Sequence, residues 1–136
     1  MYPGHWSRVF PDKPAAVHSI SGETITYQQL DHRSNQLAQL MWRQGLRRGD
    51  HVSIFMENNL AFFEVVWAAL RSGLYLTTVN QYLTDDEAAY IIDNSDSRVI
   101  VTSNLLSNVA RALPGLCANV ERWLMVGGAV EGYEDY

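Results

Sequence analysis

Four short runs rich in apolar and β-branched residues, His51–Met56, Leu74–Val79, Arg98–Thr102 and Arg122–Val126, are separated by stretches whose apolar residues recur at helical spacing. Strands that alternate with helices of roughly 10 to 15 residues are joined by crossover connections, which leave the strands parallel and the helices on the sheet's faces. The pattern predicts an α/β fold, a three-layer parallel-sheet unit built from βαβ crossovers over about residues 27 to 126.

The helix boundaries are written in capping chemistry. Thr26 with Gln29, and Thr84 with Glu87, have the spacing of a capping box, in which a hydroxyl accepts from the third helical amide and the third side chain reaches back. The first box opens a helix whose inward face is Tyr27, Leu30, Ser34, Leu37, Ala38 and Met41, stopped near Gly45. The second opens one running to about Asn94, with Ala88, Ile91 and Ile92 inward. Glu57-Asn58-Asn59 supplies a break and a cap for Leu60–Ser72, which Gly73 ends. That helix is apolar on nearly every side, with Glu64 and Arg71 its only charges, so it is expected between the sheet and further protein. Asn104–Leu113 reads as a last helix, halted by Pro114-Gly115. A helical turn is expected around His5 to Phe10, and a small hairpin over about residues 15 to 26, from Ala15–Ile20 and Thr24–Thr26 about Ser21-Gly22-Glu23. The acidic stretch Glu131 to Tyr136 has no ending signal of its own.

Composition narrows the function classes. Of the 136 residues 47% are hydrophobic and 18% charged, enough apolar material for a core. A net charge of −5, with nine scattered arginines and the single lysine Lys13, excludes a nucleic-acid or anionic-membrane footprint. The longest apolar stretch, Leu60 to Leu70, is broken by Glu64 and falls short of the ~18 residues needed for a membrane span. Met1 to Phe10 lacks the cationic and apolar regions of a signal peptide, and the lone Cys117 rules out an internal disulfide; a reduced, cytoplasmic protein is the expectation.

The residues themselves offer little chemistry. No glycine-rich phosphate loop follows a strand, and Gly127-Gly128 reads as a turn. His5, His18, His32 and His51 show no metal-ligand spacing. Asp85-Asp86-Glu87 fits a helix's first turn, where the macrodipole favours acids, better than a metal site. Ser34, Ser53 and Ser72 lie outside any nucleophile elbow, and Cys117 has no histidine near it in sequence. No catalytic, cofactor-binding or metal-ligating residue is assigned within 1–136.

A co-linear series of short motifs says more. Ile25-Thr26-Tyr27-Gln28-Gln29-Leu30, Ser34-Asn35-Gln36-Leu37-Ala38, Gly45 to Val52, Met56-Glu57-Asn58, Ala68 to Tyr75, Val79-Asn80, Leu83-Thr84 and Glu87 to Ile91 resemble, in order and spacing, the start of the adenylate-forming enzymes. Gly73-Leu74-Tyr75 with Thr78-Val79-Asn80 and Leu83-Thr84 is most similar to bacterial fatty-acyl-CoA synthetases. There are two departures. Many members have proline at Thr78, and Asn-Pro-Arg-Leu where this chain has Asn80-Gln81-Tyr82-Leu83, so a CoA-phosphate contact of that arginine does not carry over to Tyr82.

The resemblance implies the N-terminal α/β part of an AMP-forming ligase that uses ATP, Mg2+ and CoA on a carboxylic acid. The chain's partner would then be the remainder of its own polypeptide, with a homo-oligomer left open. The family's phosphate loop, adenine and ribose contacts, hinge and catalytic lysine all lie beyond the resembling segments, so the chain alone is expected to be inactive. The alternatives are an aryl-CoA ligase, a peptide-synthetase adenylation domain, or a non-catalytic flavodoxin-like binding module.

Overall fold

The computed structural model describes residues 2–128 and 130–136. Helix α1 (Pro3–Val9) is followed by a two-stranded antiparallel hairpin, β1 (Pro14–Val17) and β2 (Thr24–Thr26). Helix α2 (Tyr27–Arg43), strand β3 (His51–Phe55), α3 (Leu60–Ser72), β4 (Tyr75–Thr78), α4 (Asp85–Asn94) and β5 (Ser97–Ser103) come next. A 3-10 turn (Asn104–Leu106) leads into short helices α5 (Ser107–Ala110) and α6 (Leu113–Leu116), then β6 (Arg122–Val126) and β7 (Glu134–Asp135). The five strands β3 to β7 form one parallel sheet in the order β4-β3-β5-β6-β7, so the predicted α/β class and small hairpin are both present.

The side chains of β5 divide the core in two. Val99 and Val101 point to one face with Val52, Ile54 and Leu124, covered by Leu37 and Met41 of α2 and Val65, Ala68 and Ala69 of α3. Ile100 points the other way with Phe55 and Met125, covered by Ala88 and Ile92 of α4, Ala110 and Leu113. Strands with apolar side chains on both faces are what a parallel sheet between two helical layers requires.

The caps form as the spacing predicts. Thr26 accepts from the Gln29 amide while Gln29 accepts from the Thr26 amide, at 3.2 and 2.9 Å. Thr84 and Glu87 repeat the exchange, and Asn59 Oδ1 accepts from the Phe62 amide at 3.1 Å. Gly73 ends α3 at φ +68°, with Arg48 Cγ only 3.0 Å from where a Cβ would stand. At the amino ends of the strands Arg98 donates to Asp50 at 2.7 Å and makes a two-pronged pair with Glu121, both contacts 2.8 Å.

Several boundaries differ from expectation. The first hairpin strand stops at Val17 and not at Ile20, because His18 turns the chain: its carbonyl accepts from the Gly22 amide and its Nδ1 meets Ser21 Oγ at 2.8 Å. Leu74 and Val79 flank β4 without belonging to it, and Ile91 is half-buried where Ala89 is buried. Pro114 does not halt a helix. It sits in the first turn of α6, where a missing amide costs nothing, and the expected Asn104–Leu113 helix is broken into three shorter turns. The acidic tail supplies β7, which no apolar pattern announces. Helix α3 packs on the sheet and on α2, but Phe63 and Leu70 remain exposed, so only part of its apolar surface is covered.

Candidate functional site: the crevice at the carboxyl ends of the strands

In a parallel sheet the chain leaves adjacent strands in opposite directions where the strand order reverses, and a crevice opens outside their carboxyl ends. Here the reversal lies between β3, whose chain goes on to β4, and β5, whose chain goes on to β6. Residues at and just beyond the ends of these strands, Glu57 and Asn59 after β3 and Ser103 and Asn104 at the end of β5, line a cleft of about 680 Å³ together with Arg33, Val126, Gly127 and Tyr136.

Glu57 is the centre of its polar wall. Ser103 Oγ, 2% exposed as a residue, donates to Glu57 Oε2, and Asn59 Nδ2 donates to Glu57 Oε1 at 2.7 Å. Asn59 thus uses its oxygen to cap α3 and its nitrogen to hold the carboxylate. Across the cleft Asn104 Nδ2 donates to the Gly127 carbonyl at 3.2 Å, joining the ends of β5 and β6. Gly127 and Gly128 adopt φ +90° and +116°, a path open to glycine and strained for other residues, so the predicted turn stands on the rim.

A second cleft of about 380 Å³ adjoins the first and shares Arg33 and Tyr136 with it. Its key feature is Glu64, a carboxylate 3% exposed, which accepts from Arg33 at 2.9 Å and from the Tyr136 hydroxyl at 3.0 Å. Burial, and then the negative charge and hydrogen bond of Glu64, push the Tyr136 hydroxyl well above its ordinary range. Burial does the same to Tyr133, whose hydroxyl donates to the Ala110 carbonyl at 2.7 Å.

The residues weighed in the sequence fall elsewhere. Cys117 is buried beneath α4, 3.8 Å from the Ala89 carbonyl, and burial pushes its thiol up to about 11, with Asp93 adding to the effect. Glu87 is held below the usual carboxylate range by the Thr84 amide and hydroxyl, its partners in the cap. Ser53 joins a buried hydroxyl chain with Ser97 (2.6 Å), and Ser97 in turn with Ser95 (2.7 Å). Ser34 donates back to the Leu30 carbonyl at 2.5 Å inside α2. Among the described residues no group of three or more His, Cys, Asp or Glu is placed to hold a metal ion, and no helix is long and apolar enough to cross a membrane.

In the sequence Glu57-Asn58-Asn59 reads as a break and a helix cap, and Glu64 as an interruption of an apolar helix. The structure makes both acids the hydrogen-bonded centres of the two clefts. One local signal points to Glu64: an acid on an otherwise apolar helix, buried as the helix is buried, needs a cation or hydroxyl to meet it.

Chemically the larger cleft is an acceptor-rich wall. Glu57 and Glu23 bring negative charge, and the one cation among the described residues that line it, Arg33, is engaged by Glu64. Such a wall can orient hydroxyls and amides, but it has no cationic clamp for a triphosphate.

Comparison with known proteins agrees with this architecture. The family model described as "AMP-binding enzyme" matches residues 4–130. A 2-succinylbenzoate–CoA ligase of Oceanobacillus iheyensis is 33% identical over 103 residues, covering 73% of this chain and 21% of that protein. A medium/long-chain-fatty-acid–CoA/3-oxocholest-4-en-26-oate–CoA ligase of Mycobacterium marinum is 30% identical over 128 residues, 93% of this chain and 23% of that one. The crystal structure of coronafacic acid ligase from Pectobacterium brasiliense superposes with a TM-score of 0.85 at 19% identity, covering 98% of this chain and 26% of its own. The chain thus spans between a fifth and a quarter of these two curated relatives. With the model matched from Gly4 to Val130, across both core layers and most of the crevice at the carboxyl ends of the strands, the chain belongs to the AMP-binding enzyme family.

Proposed function

We propose that this chain is the N-terminal α/β subdomain of a cytoplasmic AMP-forming ligase that joins a carboxylic acid, of fatty-acyl type, to CoA. In that reaction the carboxylate attacks the α-phosphorus of ATP, and the bond to the β-phosphate bridging oxygen breaks to release pyrophosphate. The CoA thiol then attacks the acyl carbon of the adenylate, and AMP leaves with the bonding electron pair while the thiol proton passes to solvent or a base. ATP with Mg2+ and CoA are substrates of the parent enzyme.

The observation that carries the reading is the match across residues 4–130, which runs through both walls of the crevice. The chain's own share is scaffolding. Sheet order and caps fix the ends of β3, β5 and β6, and the Glu57–Ser103–Asn59 cluster stiffens the crevice wall. The acidic lining does not fit a triphosphate unaided, so the charge stabilisation that adenylation needs falls to other parts of the parent protein. ATP–pyrophosphate exchange with a panel of carboxylic acids tests this. Exchange by the parent protein and none by residues 1–136 is expected; exchange by the 136-residue chain overturns the scaffold assignment.

A further inference from the structure

Helix α3 spends both of its charges on one neighbour. Glu64 pairs with Arg33 and Arg71 with Asp31, at 2.9 and 2.6 Å, and both partners belong to α2. Every other residue from Leu60 to Ser72 is uncharged. The side of the helix that neither α2 nor the sheet covers therefore carries no charge at all.

On that side stand Phe63, Val66, Trp67 and Leu70, at the i, i+3, i+4, i+7 steps that align residues along one face. Phe63 is 43% and Leu70 54% exposed, and Val66 and Trp67 are half-buried. A helix surface that stays in water ordinarily carries charged side chains, as α4 does with Asp85, Asp86 and Glu87 in its first turn. The apolar surface continues beyond the helix. Leu60, Phe62 and Phe63 line a groove of about 330 Å³ together with Val17 of β1. Val17 is 59% exposed, and Ile20 in the hairpin's turn is 90% exposed.

We propose that this face, from Val17 across Phe63 to Leu70, is the surface on which an apolar segment of the rest of the parent polypeptide packs. The inference rests on the reading of the chain as an N-terminal subdomain, and adds to it the place where the remainder docks. Matched lengths supply the occupant. The alignments take in 21% and 23% of the two curated relatives described above, so more than three-quarters of each lies outside the match. Charge argues the same way. Covering the stripe strips water from no unpaired ion of α3, because both of its charges are already met by α2. A contiguous apolar face on a helix without outward charge is the mark of an interface.

Hydroxyl-radical footprinting, read by mass spectrometry and corrected for each residue's intrinsic reactivity, tests this on the parent protein and on the 136-residue chain. In the parent, Val17, Phe63 and Leu70 are expected to be protected as fully as Phe55, which is buried in the core. In the 136-residue chain the three are expected to react in proportion to their exposure while Phe55 stays protected. Reactivity of Phe63 and Leu70 in the parent above that of Phe55 overturns the proposal, whether or not the shorter chain folds alone. So does protection of both in the folded 136-residue chain, or protection that appears in the parent only as its sedimenting mass doubles; either result makes a second copy the occupant. A parent that protects the face but fails ATP–pyrophosphate exchange refutes the ligase reading and leaves the packing face standing. Exchange without protection does the reverse.

Discussion

Tyr136 donates its hydroxyl to Glu64 at 3.0 Å across 72 positions of sequence, fastening the tail of the chain to the middle of α3. The phenol is 38% exposed as a residue, yet its polar tip ends on a carboxylate that solvent barely reaches. Hydrogen bonds to charged groups are worth about 1.5–3 kcal/mol, and a buried acceptor deprived of its donor forfeits most of that. Tyr136→Phe is therefore expected to lower unfolding free energy by about 1–3 kcal/mol in urea titration. Arg33→Ala, which takes away the carboxylate's cation, is expected to cost at least as much despite the arginine's own exposure.

Alkaline conditions should weaken the fold earlier than the ordinary tyrosine range. Cys117 is raised from 9.0 to about 11 by burial, and Tyr133 and Tyr136 are raised above 10.0 for the same reason. Each binds its proton more tightly folded than unfolded, so its stabilisation is complete below the unfolded value and is lost as pH rises through the folded one. The urea midpoint is expected to fall from about pH 9 upward. Cys117→Ala should move the onset toward pH 10, where the tyrosines take over. A flat midpoint to pH 10 in the native chain contradicts the assignment.

Gly73 and Gly22 make a controlled pair. Both adopt left-handed φ, +68° and +73°, but a Cβ on Gly73 meets Arg48 at 3.0 Å while one on Gly22 meets nothing within 4 Å. Backbone strain alone costs about 1–2 kcal/mol. Gly22→Ala is expected to show that loss and Gly73→Ala a larger one, read from thermal unfolding of the two variants.

On the acid side the Arg98 clamp contributes to the slope, beside the Thr84 cap that holds Glu87 low. Glu121 is held below the usual carboxylate range chiefly by its hydrogen bonds from Arg98, and Asp50 chiefly by the Arg47 amide, with Arg98 adding to it. Their stabilisation is present above the unfolded values of 4.5 and 3.8 and disappears as pH falls through the lower folded ones. In Arg98→Ala the Glu121 part of the acid-induced loss should vanish, while the share of the Asp50 part that the Arg47 amide supplies should remain. Stability measured between pH 5 and pH 2 (about the span of these titrations) will separate the two.

What could be read in advance was local. Thr26 with Gln29, Thr84 with Glu87, Asn59 and Gly73 each act within four residues, so their spacing is enough to place the helix ends. Strands β3, β5 and β6 were legible because both faces of the sheet are covered there and their side chains are accordingly apolar. Strand β7 was not, since two acidic residues at an edge owe their pairing to the neighbouring β6 and the Arg122–Glu134 ion pair. Pro114 is ambiguous in sequence because the same residue ends one helix or opens another, and here it opens α6. Glu64 and Glu57 remained obscure for a related reason: the groups that satisfy them, Arg33, Tyr136 and Ser103, lie 31, 72 and 46 positions away. The motif series did place the chain in its family, but not the two clefts.

The strand order also sets a timetable for synthesis. Strand β3 is flanked by β4 on one side and β5 on the other, and both follow it in the chain. As the polypeptide emerges, His51–Phe55 first acquires only one neighbour, and its second flank stays bare until Ser103 has been made. The nascent chain must carry that unpaired flank through the translation of some fifty residues, the interval in which a chaperone or a wrong strand has its opening.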